Sequence, residues 1–159
     1  FVKSEKGLYH AFGPITSDDI VRTTAAILQE NLTRGDRLSK PEDAARFLQM
    51  ALANEKNEHF AVLFLNNKHQ VLSFERLFFG TVDGATVHPR IVVQKALEWN
   101  AASVIFAHNH PSGHSEPSQA DRDVTQRLVK ALSLIDVRVL DHLVVSQSGW
   151  ESLSRRGWV

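Results

Sequence analysis

Cysteine is absent from the 159 residues. That removes disulfides, thiolate nucleophiles and every cysteine-ligated zinc site at once. Neither sign of charge is in excess: Lys and Arg number 18, Asp and Glu 18, for a formal net charge of zero. A protein that lives on phosphate contacts carries a basic surplus, so the balance argues against nucleic acid as the main partner. Arg155 and Arg156 are the nearest approach to a basic patch, and they read as solvated charges. No run approaches the ~20 apolar residues of a membrane-spanning helix, so no membrane partner is expected. The opening FVKSEKGLYH has no basic segment followed by an apolar one. The expectation is therefore a cytoplasmic chain without a signal peptide, trimmed ahead of Phe1 because no initiator Met is present. Internal repeats and low-complexity segments are lacking too.

What remains has the composition of a soluble globular domain, 43% hydrophobic and 23% charged. Residues 1–14 show little periodicity and read as a loose lead-in. SDDIVRTTAAILQENL opens with Ser17 as expected N-cap and Asp18 and Asp19 in the first turn. SKPEDAARFLQMALANE starts a second helix at Pro41, with Ala44, Phe47, Leu48 and Leu52 on one face. Phe60 to Leu65 is a continuous apolar run, Asn66-Asn67-Lys68 supplies turn residues, and Val71 to Phe79 resumes strand chemistry. That predicts a hairpin whose first strand is buried on both faces. A helix from Pro89, a short buried strand at Ser103 to Ala107, a helix from about Ser118 to Leu132 and a strand at VRVLDHLVVS follow. The ending GWESLSRRGWV reads as irregular. Such alternation predicts an α/β fold with a mixed central sheet flanked by helices. Residues 1–40 are expected to be a helical lead-in to a unit at 41–159, the two forming one compact unit.

The chemistry concentrates in SVIFAHNHPSGHSEPSQAD. His108 and His110 follow an apolar strand, and alternate residues of an extended chain point the same way, so both imidazoles can reach one metal. Zinc would need a third protein ligand and an open position, and Asp121 is the leading candidate. Ser118 to Asp121 also has the form S-x-x-D, a capping box at the start of a helix, and that reading is locally sufficient. The two roles can coexist, because Pro111, Gly113 and Pro117 permit a sharp return over the strand end. Other metal chemistries fail: a zinc deaminase needs cysteines, and a zincin needs H-E-x-x-H on a helix. The letters HNH name residues scattered along a ββα unit in HNH nucleases, so a contiguous tripeptide is no evidence for one.

AHNHPSGHSEPSQADRDVT resembles the signature of RadC-like JAB domain proteins, a branch of the JAMM/MPN metalloprotease superfamily. The superfamily pattern is a distant Glu, then H-x-H, seven residues and S-x-x-D; here Pro111 to Pro117 are the seven between His110 and Ser118. Gly80-Thr81, His88 to Arg90, Thr125 and Asp141 to Val145 agree as well, and the resemblance covers Pro41 to Trp158. It implies a deaminase-like three-layer sandwich in which His108, His110 and Asp121 hold Zn2+. It also implies that Glu58, ahead of the buried run, is the distant Glu; the residues alone would not rank Glu58 above Glu75, Glu98 or Glu116. The implied chemistry is hydrolysis of an amide or isopeptide bond in a peptide or protein substrate. Zinc acidifies a water, Glu58 takes its proton and returns it to the leaving amine, and Ser118 donates to the developing oxyanion.

Longer RadC proteins carry an N-terminal helix-hairpin-helix region associated with DNA, and the expectation from residues 1–40 is a short form without it. A DNA-repair-associated metal-dependent protein or nuclease, and a non-catalytic MPN-type scaffold, are the alternatives to a hydrolase. His114 reads as solvent-facing, Asp141 and His142 as either a pair orienting the site or a satisfied edge of the core. Thr81 and Arg90 read as cleft lining or helix-start structure. His10, His59, His69 and His88 read as surface or packing residues. Trp99, Trp150 and Trp158 are too irregularly spaced for a stacking platform.

Overall fold

The computed structural model describes residues 1–33, 41–80 and 86–159. A hairpin of β1 (Val2–Lys3) and β2 (Tyr9–His10) precedes helices α1 (Ser17–Thr33) and α2 (Pro41–Leu52). Strands β3 (His59–Leu65) and β4 (Val71–Phe79), helix α3 (Pro89–Glu98), strand β5 (Ser103–Asn109), helix α4 (Gln119–Ser133) and strands β6 (Arg138–Ser146) and β7 (Gly149–Ser152) follow. The main sheet has the order β4-β3-β5-β6-β7, with β5 and β6 parallel and the other pairs antiparallel. This is the expected mixed sheet.

Side-chain alternation divides the core in two. Phe60, Val62 and Phe64 of β3 with Val104 and Phe106 of β5 face α3 and α4, where Val92, Ala96, Val124, Leu128 and Leu132 meet them. Ala61, Leu63, Leu65, Ile105 and Ala107 face Ala44, Phe47, Leu48 and Leu52 of α2, and α1 packs outside α2. Helices thus cover both faces, giving three layers. β3 sits inside the sheet with both faces covered, which is why its sequence is an unbroken apolar run. At the β3–β4 turn the Asn66 Oδ1 accepts from the backbone of Lys68 and Gln70, and His69 takes the left-handed conformation.

Three sequence expectations need correction. The first helix is capped by Thr16, not Ser17: Thr16 Oγ1 accepts from Asp19 N–H at 3.1 Å, and Asp19 Oδ2 accepts from Thr16 N–H at 2.9 Å. Thr16 has an acid three residues on, whereas Ser17 has Ile20, so only Thr16 can close a capping box. The chain end contains the edge strand β7, and the lead-in contains the β1–β2 hairpin. Among the described residues no helix is long and apolar enough to cross a membrane.

Candidate metal centre

The alternation that sorts the core also builds the site. His108 continues the Val104–Phe106 row toward α4, fully buried, while Asn109 turns to the α2 side. His110 lies one residue past β5 and extends its ladder, donating its N–H to Val145 O at 3.0 Å. A loop then doubles back. Gly113 provides the turn at φ +88°, and its carbonyl accepts from Ser148 Oγ at 2.8 Å. The return ends at Ser118, the N-cap of α4.

Ser118 and Asp121 do form the capping box: Ser118 Oγ accepts from Asp121 N–H at 3.1 Å, and Asp121 Oδ2 accepts from Ser118 N–H at 2.7 Å. The same carboxylate faces the imidazoles. Asp121 Oδ1 is 3.0 Å from His108 Nε2, Oδ2 is 3.4 Å from His110 Nε2, and the two Nε2 atoms are 3.0 Å apart. The site therefore uses one helix start for two purposes, capping and convergence.

The donor set fits a cation. His110 Nδ1 donates to the His114 carbonyl at 3.0 Å, so the neutral ring presents Nε2 as a lone pair. That lone pair, His108 Nε2 and the Asp121 carboxylate converge from three sides. His108, His110 and Asp121 bring one ligand atom each within 4.8 Å of one another, and two imidazoles with a carboxylate suit a zinc-like ion. Without an ion, protons respond to the same convergence. Hydrogen bonding to the Asp121 carboxylate raises the His110 pKa against the opposing effect of burial, with a further contribution from the Glu58 charge. Burial works to raise the Asp121 carboxyl, but hydrogen bonds from His108 and His110 outweigh it and hold the group far below the usual carboxylate range. His142 is pushed the other way: full burial holds its pKa well below the ordinary histidine value, so it is neutral.

Glu58 stands immediately before β3, half-buried, with its carbonyl accepting from Gly80 N–H at 2.9 Å. Its position is set by a residue that sequence reasoning passed over. Asn109 Oδ1 accepts from His59 N–H at 2.7 Å, and Nδ2 donates to Asn57 O at 3.0 Å. The backbone on both sides of Glu58 is thus held from within the H-x-H motif. The signal for this was a polar Asn ending a strand that is buried throughout, where its amide needs partners. Ser118 is exposed, and because its Oγ accepts from Asp121, its proton is left to donate. His114 has an exposed side chain, as expected, but its carbonyl orients His110.

Asp141 and His142 part company. Asp141 faces the α2 side and accepts from His142 N–H, Ser154 N–H and Ser152 Oγ, tying β6 to the chain end. His142 faces His108, with its Nε2 2.7 Å from His108 Nδ1. Arg90 is exposed in the first turn of α3, and Thr81 lies outside the described residues.

Residues 38–158 match the family model of the RadC-like JAB domain. The chain belongs to that family. Over 140 residues it is 52% identical to a UPF0758 protein of Vibrio cholerae, a match covering 88% of each chain. A UPF0758 protein of Alcanivorax borkumensis is 55% identical over 132 residues, 83% of this chain and 59% of the relative. One from Tolumonas auensis is 48% identical over 153 residues, 94% of this chain and 68% of the relative. The chain therefore spans less than two thirds of the Alcanivorax relative, and 62% of one from Vibrio campbellii. RadC-like JAB membership and the His-His-Asp group together point to a metal-dependent hydrolase of the JAMM type.

Proposed function

We propose that this RadC-like JAB domain is a zinc-dependent hydrolase of peptide or isopeptide bonds, with His108, His110 and Asp121 as metal ligands. The observation that carries the reading is the convergence of the two imidazole Nε2 atoms on the Asp121 carboxylate, with the Glu58 charge felt at His110. When bound, the ion supplies a Lewis acid that makes a water acidic near neutral pH and polarises a carbonyl. Glu58 acts as general base and then acid: its carboxylate takes the proton of the attacking water and hands it to the leaving amine. Ser118 donates its free hydroxyl proton to the carbonyl oxygen as charge develops there. Asn109 keeps Glu58 in register with the ligands through the backbone of Asn57 and His59.

Metal content of protein purified without chelator, followed by peptide and ubiquitin-like fusion panels, tests the proposal. About one zinc per chain is expected, retained in Glu58→Gln and lost in His108→Ala. Hydrolysis should require both residues. A His108→Ala variant that keeps full occupancy would overturn the ligand assignment, and turnover of oligonucleotides alone, dependent on Glu58, would overturn the substrate class.

A further inference from the structure

The polar contacts behind His108 have a direction. Thr125, one turn after Asp121 on α4 and fully buried, donates its hydroxyl proton to the Asp121 carbonyl at 2.6 Å. A carbonyl only accepts, so that proton is committed. The second contact of the same hydroxyl, 2.5 Å from His142 Nδ1, must then take its hydrogen from the ring.

His142 is fully buried, with Phe60 and Phe106 packed edge-on to it at centroid distances of 5.5 and 5.9 Å. Neither of its hydrogen-bond partners, a hydroxyl and an imidazole, carries negative charge. A buried imidazolium without an anionic partner is heavily disfavoured, so the ring is neutral with its hydrogen on Nδ1. Its Nε2 is then a lone pair, and the hydrogen in the 2.7 Å contact comes from His108 Nδ1. When His108 is neutral, its remaining nitrogen, Nε2, is the lone pair aimed at His110 and Asp121.

We propose that Thr125 and His142 are positioning residues that fix the tautomer of His108, so that the Asp121 backbone carbonyl dictates which nitrogen of His108 is free to bind metal. The inference rests on the metal-site reading above. Asp121 acts at both ends of the relay: its carboxylate is a ligand, and its carbonyl, through Thr125 and His142, sets the polarity of another ligand. Outer partners of this kind fix ring orientation and ligand basicity in metal sites generally.

Two measurements test it. Long-range 15N–1H spectra of the metal-free chain report histidine tautomers, and His108 and His142 are both expected to carry hydrogen on Nδ1. Zinc affinity is then measured by chelator competition in Thr125→Val, His142→Gln and His142→Leu. Thr125→Val keeps the shape and loses the hydroxyl, and should weaken binding roughly 10–100-fold. His142→Gln places an amide oxygen near the accepting position and should stay near wild type, whereas His142→Leu should fall with Thr125→Val. A role in packing alone would leave the Gln and Leu variants alike.

A metal-free wild type in which His108 carries no hydrogen on Nδ1 overturns the proposal. So do folded Thr125→Val and His142→Leu proteins that bind zinc as tightly as wild type. Should His142→Leu not fold, Thr125→Val and the wild-type spectrum decide. If wild type binds no metal, the metal-site reading fails, while the tautomer spectrum still settles the relay.

Discussion

The side-chain oxygen of Asn109 holds the backbone N–H of His59 at 2.7 Å, joining the strand that carries the candidate ligands to the strand preceded by the candidate base. Because Asn109 is fully buried, removing its amide leaves the His59 N–H and the Asn57 carbonyl without their partner. Asn109→Ala is expected to lower stability by about 1–3 kcal/mol. It should also reduce hydrolysis while zinc content is preserved, since His108 points to the opposite face of the sheet and His110 keeps its backbone bond to Val145. Denaturant unfolding, metal analysis and kinetics on the same preparation check the three outcomes, and loss of zinc with unchanged activity per bound ion would contradict them.

Asp121 carries two duties that substitutions can separate. Asp121→Asn keeps an oxygen that can accept from Ser118 N–H but removes the charge, so zinc affinity should fall while α4 stays capped. Asp121→Ala removes both. Measured in chelator, the alanine variant is expected to be less stable than the asparagine variant by about 1 kcal/mol, the usual worth of a cap. Equal stability would show that the capping box contributes nothing.

The pH dependence of the metal-free chain follows from opposing histidines. His110 has a raised pKa, so its stabilising contribution is complete below its unfolded value of about 6.5 and is lost as pH rises through the folded value. Asp121 has a lowered pKa, so its contribution is present above about 3.9 and disappears as pH falls through its depressed value. His142, kept neutral by burial, works against stability below about 6.5, where the unfolded chain takes a proton that the folded ring refuses. Comparing wild type with His110→Gln cancels the His142 effect. In urea melts with chelator, the advantage of wild type should be larger at about pH 5.5 than at about pH 8. Zinc competes with protons for the same atoms, so the increase in Tm on adding zinc should run the other way and grow with pH.

Gly113 turns the metal loop at φ +88°, and an added Cβ would meet no atom within 4 Å. Backbone conformation alone therefore opposes a side chain there. Gly113→Ala is expected to lower stability by about 1–2 kcal/mol, read as a shifted denaturant midpoint with an unchanged slope.

Much of this architecture was legible in the sequence because its causes are local. The apolar run of β3, the S-x-x-D cap and the period-two spacing of His108 and His110 each report a geometry that needs no distant partner. Glu58 is proposed from family resemblance alone, since a carboxylate ahead of a strand looks like any solvated end residue, and the Asn109 bonds to its neighbours need the folded sheet. The separation of Asp141 from His142 was hidden for a different reason. In VRVLDHLVVS the apolar residues do not say which face meets α4; the parallel pairing with β5, which sets His142 opposite Phe106, decides it. β7 escaped notice because Gly149–Ser152 has no apolar alternation and pairs only at the sheet edge.

The three candidate ligands come from one short return between β5 and α4, whereas Glu58 comes from a segment beyond an intervening hairpin and helix. Chain closure between His108 and Asp121 spans far fewer residues than closure between Glu58 and His108. The sequence separations differ about fourfold, and each doubling costs about 0.6 kcal/mol, so the base is the entropically later arrival by roughly 1 kcal/mol. Gathering the ligand set therefore costs less chain entropy than bringing the base to it, and lengthening the β3–β5 connection would widen that gap only slowly.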